Sequence, residues 1–262
     1  MLSIYCRQAN LYEFKRRSRT GGVAKRSTAG DRTFKLGSGT TSEPGRYVKS
    51  LGEPRRGRYV KSLGEPRRGD PFWSAVRDAG VPISFHIGAG DVSGLFNDTV
   101  GIGLRANFAR VSSMIFMQNV TCLADLIFGG VCHRFPELKL VSVESGVGWI
   151  QSYLESADWQ FVNSETRREH PEYDLLPSEY FRRQIYGCFW FECEGLRTAF
   201  EEFPDNLLWE TDFPHPTCQH PGLEGGLTEH PADYAERVFA GVPEATQRKV
   251  LHDNAARLYG LD

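Results

Sequence analysis

The sequence predicts an α/β fold with a parallel sheet, located between residues 70 and 262. Short apolar segments rich in β-branched and aromatic residues alternate with helical stretches in this region. Several of these segments end in an ionisable residue that is followed by glycine or proline. Alternating strands and helices form parallel sheets, and right-handed crossovers place the carboxyl ends of all strands at one edge.

Four segments have the composition of strands that are covered on both faces. They are Val81–Gly88, Leu138–Gly146, Ile185–Phe191 and Asn206–Asp212. Helical spacing of apolar residues predicts helices around them. These helices are Pro71–Ala79, Met114–Phe128, Trp149–Val162 and Glu244–Tyr259.

The strand ends carry the candidate site. His86 stands at the end of the first strand, Glu144 at the second and Asp212 at the fourth, while Glu192 and Glu194 follow the third. If His86, Glu144, Glu192 and Asp212 converge at one edge, their imidazole and carboxylate groups suit zinc, manganese or iron. The structural alternatives stay open: His86 as a packing residue, Asp212 as a turn former and Glu144 as a helix cap. His215, between two prolines, could equally be a rigid loop residue.

The first 69 residues differ from the rest in charge. Residues 1–69 hold 17 Lys and Arg against 5 Asp and Glu, whereas residues 70–262 hold 14 against 28. Arg46–Gly57 (RYVKSLGEPRRG) is repeated without change at Arg58–Gly69. Such a segment predicts no packed structure. It could be a disordered or non-native start, a targeting peptide, or a basic arm that binds nucleic acid or membrane, and we favour the non-native start.

The spacing of the cysteines and the length of the apolar runs indicate in which cellular compartment the protein lies. The six cysteines include no Cys-x-x-Cys pair, so neither a zinc knuckle nor a disulfide framework is indicated. No apolar run approaches the roughly 18 residues that cross a bilayer, and the chain does not open with a signal-peptide pattern. We therefore expect a cytoplasmic protein without a membrane partner, and a homodimer stays open.

Five segments carry a resemblance to a known family. They are Val81–Gly88 (VPISFHIG), Ile127–Leu140 (IFGGVCHRFPELKL), Val141–Ile150 (VSVESGVGWI), Leu207–Pro216 (LLWETDFPHP) and Asn254–Leu261 (NAARLYGL). In this order they resemble the amidohydrolase-related family that includes aminocarboxymuconate-semialdehyde decarboxylase. The resemblance implies a TIM-like (β/α) barrel with one catalytic divalent metal, usually zinc, and hydrolysis or non-oxidative decarboxylation of small carbon acids.

The resemblance also implies roles for single residues. His86 matches a metal-binding histidine, and Asp212 matches the aspartate that holds the metal and accepts a proton. Glu144 stands where the decarboxylase branch has a catalytic histidine, which weakens the decarboxylase interpretation. His215 belongs to an Asp-Phe-Pro-His variant of the motif. The chain has no His-x-His pair, so only the C-terminal half of the barrel is recognisable and the N-terminal half is missing or replaced.

We therefore predict a metal-dependent hydrolase that uses a metal-activated water on a small carbonyl, lactone or amide-type substrate. Asp212, Glu144 and His215 are the predicted catalytic residues, and His86 and Asp212 are the predicted metal ligands. The expected cofactor is zinc, with manganese or iron as alternatives. Three other functions stay open: a decarboxylase, an inactive truncated family member, and a basic tether to nucleic acid or membrane, of which nucleic-acid binding is the least supported.

Overall fold

A computed structural model describes residues 69–89, 101–215, 218–220 and 229–261. The basic segment predicted for residues 1–69, with its tandem repeat, therefore lies outside the described residues except for Gly69. From Asp70 onward the described residues form alternating helices and strands. This confirms the α/β class that the sequence predicts.

The sheet has four described strands, and all neighbouring pairs are parallel. The strands are β1 (Ile83–His86), β2 (Leu140–Val143), β3 (Ile185–Phe189) and β4 (Leu207–Trp209), in the spatial order β1-β2-β3-β4. His86 is in register with Val143 at the carboxyl end of the first pair. Because all four strands run the same way, the residues that follow them lie at one edge of the sheet.

Helices connect and flank these strands. In chain order they are α1 (Asp70–Ala79), α2 (Leu104–Ser112), α3 (Met117–Phe128), α4 (Val131–Arg134), α5 (Ile150–Asn163), α6 (Thr166–Glu169), α7 (Pro177–Gln184), α8 (Leu196–Glu202), α9 (Pro231–Val238), α10 (Glu244–Arg248) and α11 (Asn254–Tyr259). A π-helical turn, Lys249–Asp253, joins α10 to α11. The predicted helix over 244–259 is thus three consecutive helical segments.

The strands alternate their side chains between two apolar clusters, as a period of two requires. The larger cluster contains Leu140, Ile185 and Leu207 and is covered by helices that include α3, α5, α7 and α8. The smaller one contains strand residues such as Val141 and Leu208 and is closed by α11. Burial on both faces explains why these strands are apolar throughout.

Six described helices were not predicted, namely α2, α4, α6, α7, α8 and α9. Their first turns contain glycine, proline or charged residues, and α2 is largely exposed, so the apolar spacing that indicates a helix is weak there. The segment Leu104–Phe128 is long and apolar enough, by length and composition alone, to cross a bilayer. The core helices of soluble proteins meet the same criterion, so this is weak evidence for a membrane span.

Candidate active site

Four predicted side chains meet at the carboxyl edge of the sheet. His86 ends β1, Glu144 directly follows β2, and Asp212 and His215 follow β4. His86 Nε2 lies 2.6 Å from Glu144 Oε1. The carboxyl group of Glu144 also contacts that of Asp212, whose Oδ2 lies 3.0 Å from His215 Nδ1. Residues that are 129 positions apart in the sequence thus form one continuous polar chain.

The backbone determines which nitrogen of His86 faces this cluster. His86 Nδ1 lies 3.0 Å from the carbonyl oxygen of Ile87, an acceptor only, so Nδ1 carries a hydrogen and donates it. The other ring nitrogen, Nε2, then faces Glu144 with a lone pair when the ring is neutral and with a proton when the ring is charged. Histidines that bind metals are oriented by this kind of hydrogen bond from the other ring nitrogen.

The His86–Glu144 contact shifts the pKa of both groups. Burial lowers the pKa of His86, but the hydrogen bond and charge of Glu144 outweigh it, and the net pKa is raised. Burial raises the pKa of Glu144, yet the same contact with His86 outweighs it and the net pKa is lowered. Both shifts favour an imidazolium paired with a carboxylate when no cation is present.

Asp212 has the opposite electrostatic character. Burial and then the negative charge of Glu144 raise its pKa to about 6, well above the ordinary 3.8. Its side chain is only 6% exposed, whereas the His215 ring is 55% exposed. Asp212 Oδ2 is buried and receives no hydrogen bond of good geometry, although His215 Nδ1 is close enough for an ion pair. A buried carboxylate oxygen in this state is suited to bind a cation.

Glu144, Asp212 and His215 offer a compact set of donor atoms. One ligand atom from each residue lies within 4.8 Å of the other two. Two carboxylates and an imidazole match the preferences of zinc, manganese and iron. Of the two predicted ligands, Asp212 belongs to this set, while His86 reaches it through its contact with Glu144.

Two carboxylates beside the cluster, from the buried Glu210 and the partly buried Glu192, hold neighbouring backbone without belonging to the cluster. Glu210 Oε1 accepts the backbone N–H of Glu144 at 2.9 Å. Glu192, which the sequence predicted to converge with His86 and Asp212, instead accepts the backbone N–H groups of Val147 and Gly148. Sequence reasoning missed Glu210, although its position two residues before Asp212 on an apolar strand was a usable signal.

The backbone at the site is also unusual. Glu144 and Asp212 have φ values of 54° and 56°, in the left-handed region that residues with a Cβ rarely adopt. Such conformations persist only where the surroundings hold them, and they cluster at active sites. Here they turn two carboxylates toward each other just after their strands end.

Known proteins resemble this chain in sequence and in fold. A sequence model described as Amidohydrolase matches residues 47–261, a range that begins inside the tandem repeat. Over 64 residues the chain is 41% identical to 2-pyrone-4,6-dicarboxylate hydrolase of Comamonas testosteroni, which covers 24% of this chain and 19% of that protein.

Two solved structures show the same fold. The 5-carboxyvanillate decarboxylase of Sphingomonas paucimobilis matches with a TM-score of 0.58 and 22% identity, over 83% of this chain and 64% of that one. A 5-carboxyvanillate decarboxylase of Novosphingobium aromaticivorans, solved with bound manganese, matches with a TM-score of 0.55 and 14% identity, over 78% of this chain and 54% of that one. This chain thus spans between about half and two thirds of these solved proteins. On the sequence match over most of its length, the chain belongs to the amidohydrolase family.

Proposed function

We propose that this chain is a metal-dependent hydrolase acting on a small carbonyl, lactone or amide-type substrate. The observation that carries the proposal is the cluster of Glu144, Asp212 and His215, whose donor atoms lie within 4.8 Å at the edge where parallel strands end. In α/β barrels this edge carries the chemistry. The name of the Comamonas relative, a hydrolase, supports the reaction type.

The donor set fits a divalent cation. We assign the cation to Glu144, Asp212 and His215, with the Nε2 lone pair of His86 available once its proton has left. The manganese in the Novosphingobium structure supports manganese as an alternative to zinc. When bound, such a cation supplies Lewis acidity and activates water at neutral pH.

The chain's own residues would then handle the protons. Asp212, whose carboxylate would lie beside the cation and its bound water, is placed to accept a proton from the attacking water. The carbonyl of Ile87 keeps the Nε2 of His86 turned toward Glu144. His215, half-exposed at the rim, is placed to orient the substrate or return a proton to the leaving group.

Metal content tests this proposal directly. We expect the full chain, loaded with Mn²⁺ or Zn²⁺ and dialysed, to retain about one ion per chain by atomic emission, as a site with at least three ligands should. Glu144→Gln should retain far less, whereas Glu172→Gln, at an exposed glutamate away from the sheet edge, should match the unmodified protein. Retention below about 0.1 ion per chain would refute the metal assignment.

A decarboxylase is the second candidate, because both solved relatives described above are named 5-carboxyvanillate decarboxylase. Two substrates separate the candidates. Ring opening of 2-pyrone-4,6-dicarboxylate by the metal-loaded protein would support the hydrolase. Release of carbon dioxide from 5-carboxyvanillate, without ring opening of the pyrone, would instead support the decarboxylase.

We also propose that the four strands belong to a TIM-like (β/α) barrel of which this chain carries the C-terminal half, and that residues 1–69 are a separate non-native segment. The barrel proposal rests on the parallel sheet and on family membership.

Thermal unfolding distinguishes an active protein from a truncated, inactive one. An assembled site should give a cooperative transition that Mn²⁺ moves to higher temperature, whereas an incomplete one should give neither.

A further inference from the structure

Glu144 lies in a loop that a second acidic side chain holds in place. The loop joins β2 to α5, and Glu192 follows β3 on the neighbouring loop. The Glu192 carboxylate accepts the Val147 N–H at 2.9 Å and 3.0 Å and the Gly148 N–H at 2.7 Å. One side chain therefore binds two successive backbone amides a few residues after Glu144.

The glycines of this loop make the contact possible. A Cβ on Gly146 would lie 2.8 Å from Glu192 Oε1, and a Cβ on Gly148 would lie 3.1 Å from the same atom. The loops themselves also touch, since a Cβ on Gly195 would lie 2.9 Å from the Cα of Gly148. Gly146 has a positive φ of 68°, a conformation that favours glycine. Gly148 has no positive φ, so the absence of a side chain there matters only because it leaves room for the Glu192 carboxylate.

The other end of the loop is held in the same manner. Glu210 Oε1, from the end of β4, accepts the N–H of Glu144 itself at 2.9 Å. Between these two anchors Glu144 adopts its left-handed backbone conformation, with a φ of 54°. A residue with a Cβ stays in that region only when its neighbours hold it there.

We propose that Glu192 is a positioning residue for Glu144: by binding the amides of Val147 and Gly148 it keeps the Glu144 carboxylate directed at His86 and Asp212. The inference rests on the proposed function, in which Glu144 binds the cation. The alternative is a purely structural role, in which Glu192 stabilises the start of α5 as a negative charge at a helix N-terminus. The two roles differ in whether the metal site changes along with the stability.

Metal affinity separates them. The unmodified full chain, Glu192→Ala, Glu192→Gln and the control Glu194→Ala, at an exposed glutamate two positions away, are titrated with Mn²⁺ by calorimetry. We expect Glu192→Ala to weaken Mn²⁺ binding about 10- to 100-fold, as the loss of an outer-shell partner does. Glu192→Gln should recover part of the affinity because its amide oxygen still accepts a hydrogen bond, and Glu194→Ala should bind normally. A folded Glu192→Ala with unchanged affinity would overturn the proposal.

Gly148→Ala tests the same contact from the other side. Its Cβ should push the Glu192 carboxylate away and weaken Mn²⁺ binding in the unmodified background, with little further effect in Glu192→Ala. Additive effects of the two substitutions would contradict a shared contact. If Glu192→Ala fails to fold, Gly148→Ala alone still decides, because unchanged Mn²⁺ affinity in that folded variant would overturn the proposal.

A metal-free measurement separates failure of this inference from failure of the proposed function. At one fixed pH, Glu192→Ala should shift the imidazole ¹⁵N resonances of His86, because Glu144 moves away from Nε2, while Glu194→Ala should leave them in place. If the unmodified chain binds no Mn²⁺, the proposed function fails and the ¹⁵N shifts still decide the positioning role. Unchanged His86 resonances in folded Glu192→Ala would overturn it.

Discussion

Replacing Asp212 by Asn should abolish metal binding and yet stabilise the metal-free protein at neutral pH. The pKa of Asp212 is about 6 in the folded protein against an ordinary 3.8. Each unit of difference corresponds to about 1.4 kcal/mol, so the ionised carboxylate destabilises the folded state by about 3 kcal/mol at neutral pH. The ion pair with half-exposed His215 is already part of this net pKa, because His215 lowers the pKa of Asp212 while burial and Glu144 raise it.

The net expectation for Asp212→Asn is therefore a gain of about 3 kcal/mol in the free energy of unfolding near pH 7. Asn also accepts the φ of 56° at this position more readily than most residues do. A raised carboxyl pKa gives a contribution to stability that is fully present below about pH 4 and is lost as the pH rises through about 6. The advantage of the variant should accordingly shrink toward pH 4, where Asp212 is protonated when folded.

Urea unfolding with a chelator present, at about pH 4 and about pH 7, measures this difference. Both proteins keep His86 and Glu144, so the comparison between their two curves isolates Asp212. A variant that is equally or less stable than the unmodified protein near pH 7 would refute the reasoning, since the buried charge would then cost nothing.

Three further predictions concern the site and its support. Mn²⁺ affinity should rise about tenfold per pH unit as the pH increases from about 5 to 6, because Asp212 must lose a proton before it binds the cation. Calorimetry in two buffers counts the protons released on binding. An affinity that does not depend on pH would contradict the prediction. His215→Ala should weaken Mn²⁺ binding by about 10-fold or more, whereas His252→Ala, on the π-helical turn, should not, and equal binding by both variants would remove His215 from the site. Asn119→Ala should lower the free energy of unfolding by about 1–3 kcal/mol in urea titrations, because the buried Asn119 amide donates to the Phe85 carbonyl and to Ser142 Oγ. Thr121→Ala, at an exposed residue, is the control. A loss of stability no larger than that of the control would contradict the prediction.

Much of the site was predictable because its residues stand at strand ends. The strand pattern predicted the positions of His86, Glu144 and Asp212, and a parallel sheet brings such positions to one edge. Their pairing could not be predicted, because it depends on side-chain directions and on two left-handed backbone residues that no periodicity reveals. The roles of the site residues stay predictions until metal binding is measured.

Glu192 shows the limit of reasoning from strand ends. Its position after β3 placed it at the correct edge, but position alone could not distinguish a carboxylate that faces a cation from one that faces backbone amides. That choice depends on the glycines of the opposite loop, which let the Glu192 carboxylate approach. Glycine spacing read together with nearby acidic residues is a signal that can be sought in other sequences.

The sequence by itself determined the α/β class, the order of the four strands along the chain and the family, because apolar alternation and local motifs are properties of contiguous residues. Only the tertiary structure decided that His86 pairs with Glu144 and that Glu210 supports the Glu144 backbone. The physical reason is distance along the chain. Contacts between residues 58 or 66 positions apart arise from the crossovers that join the strands. The pKa shifts of the site arise from burial and from neighbouring charges in the folded chain. Neither is encoded in a local pattern.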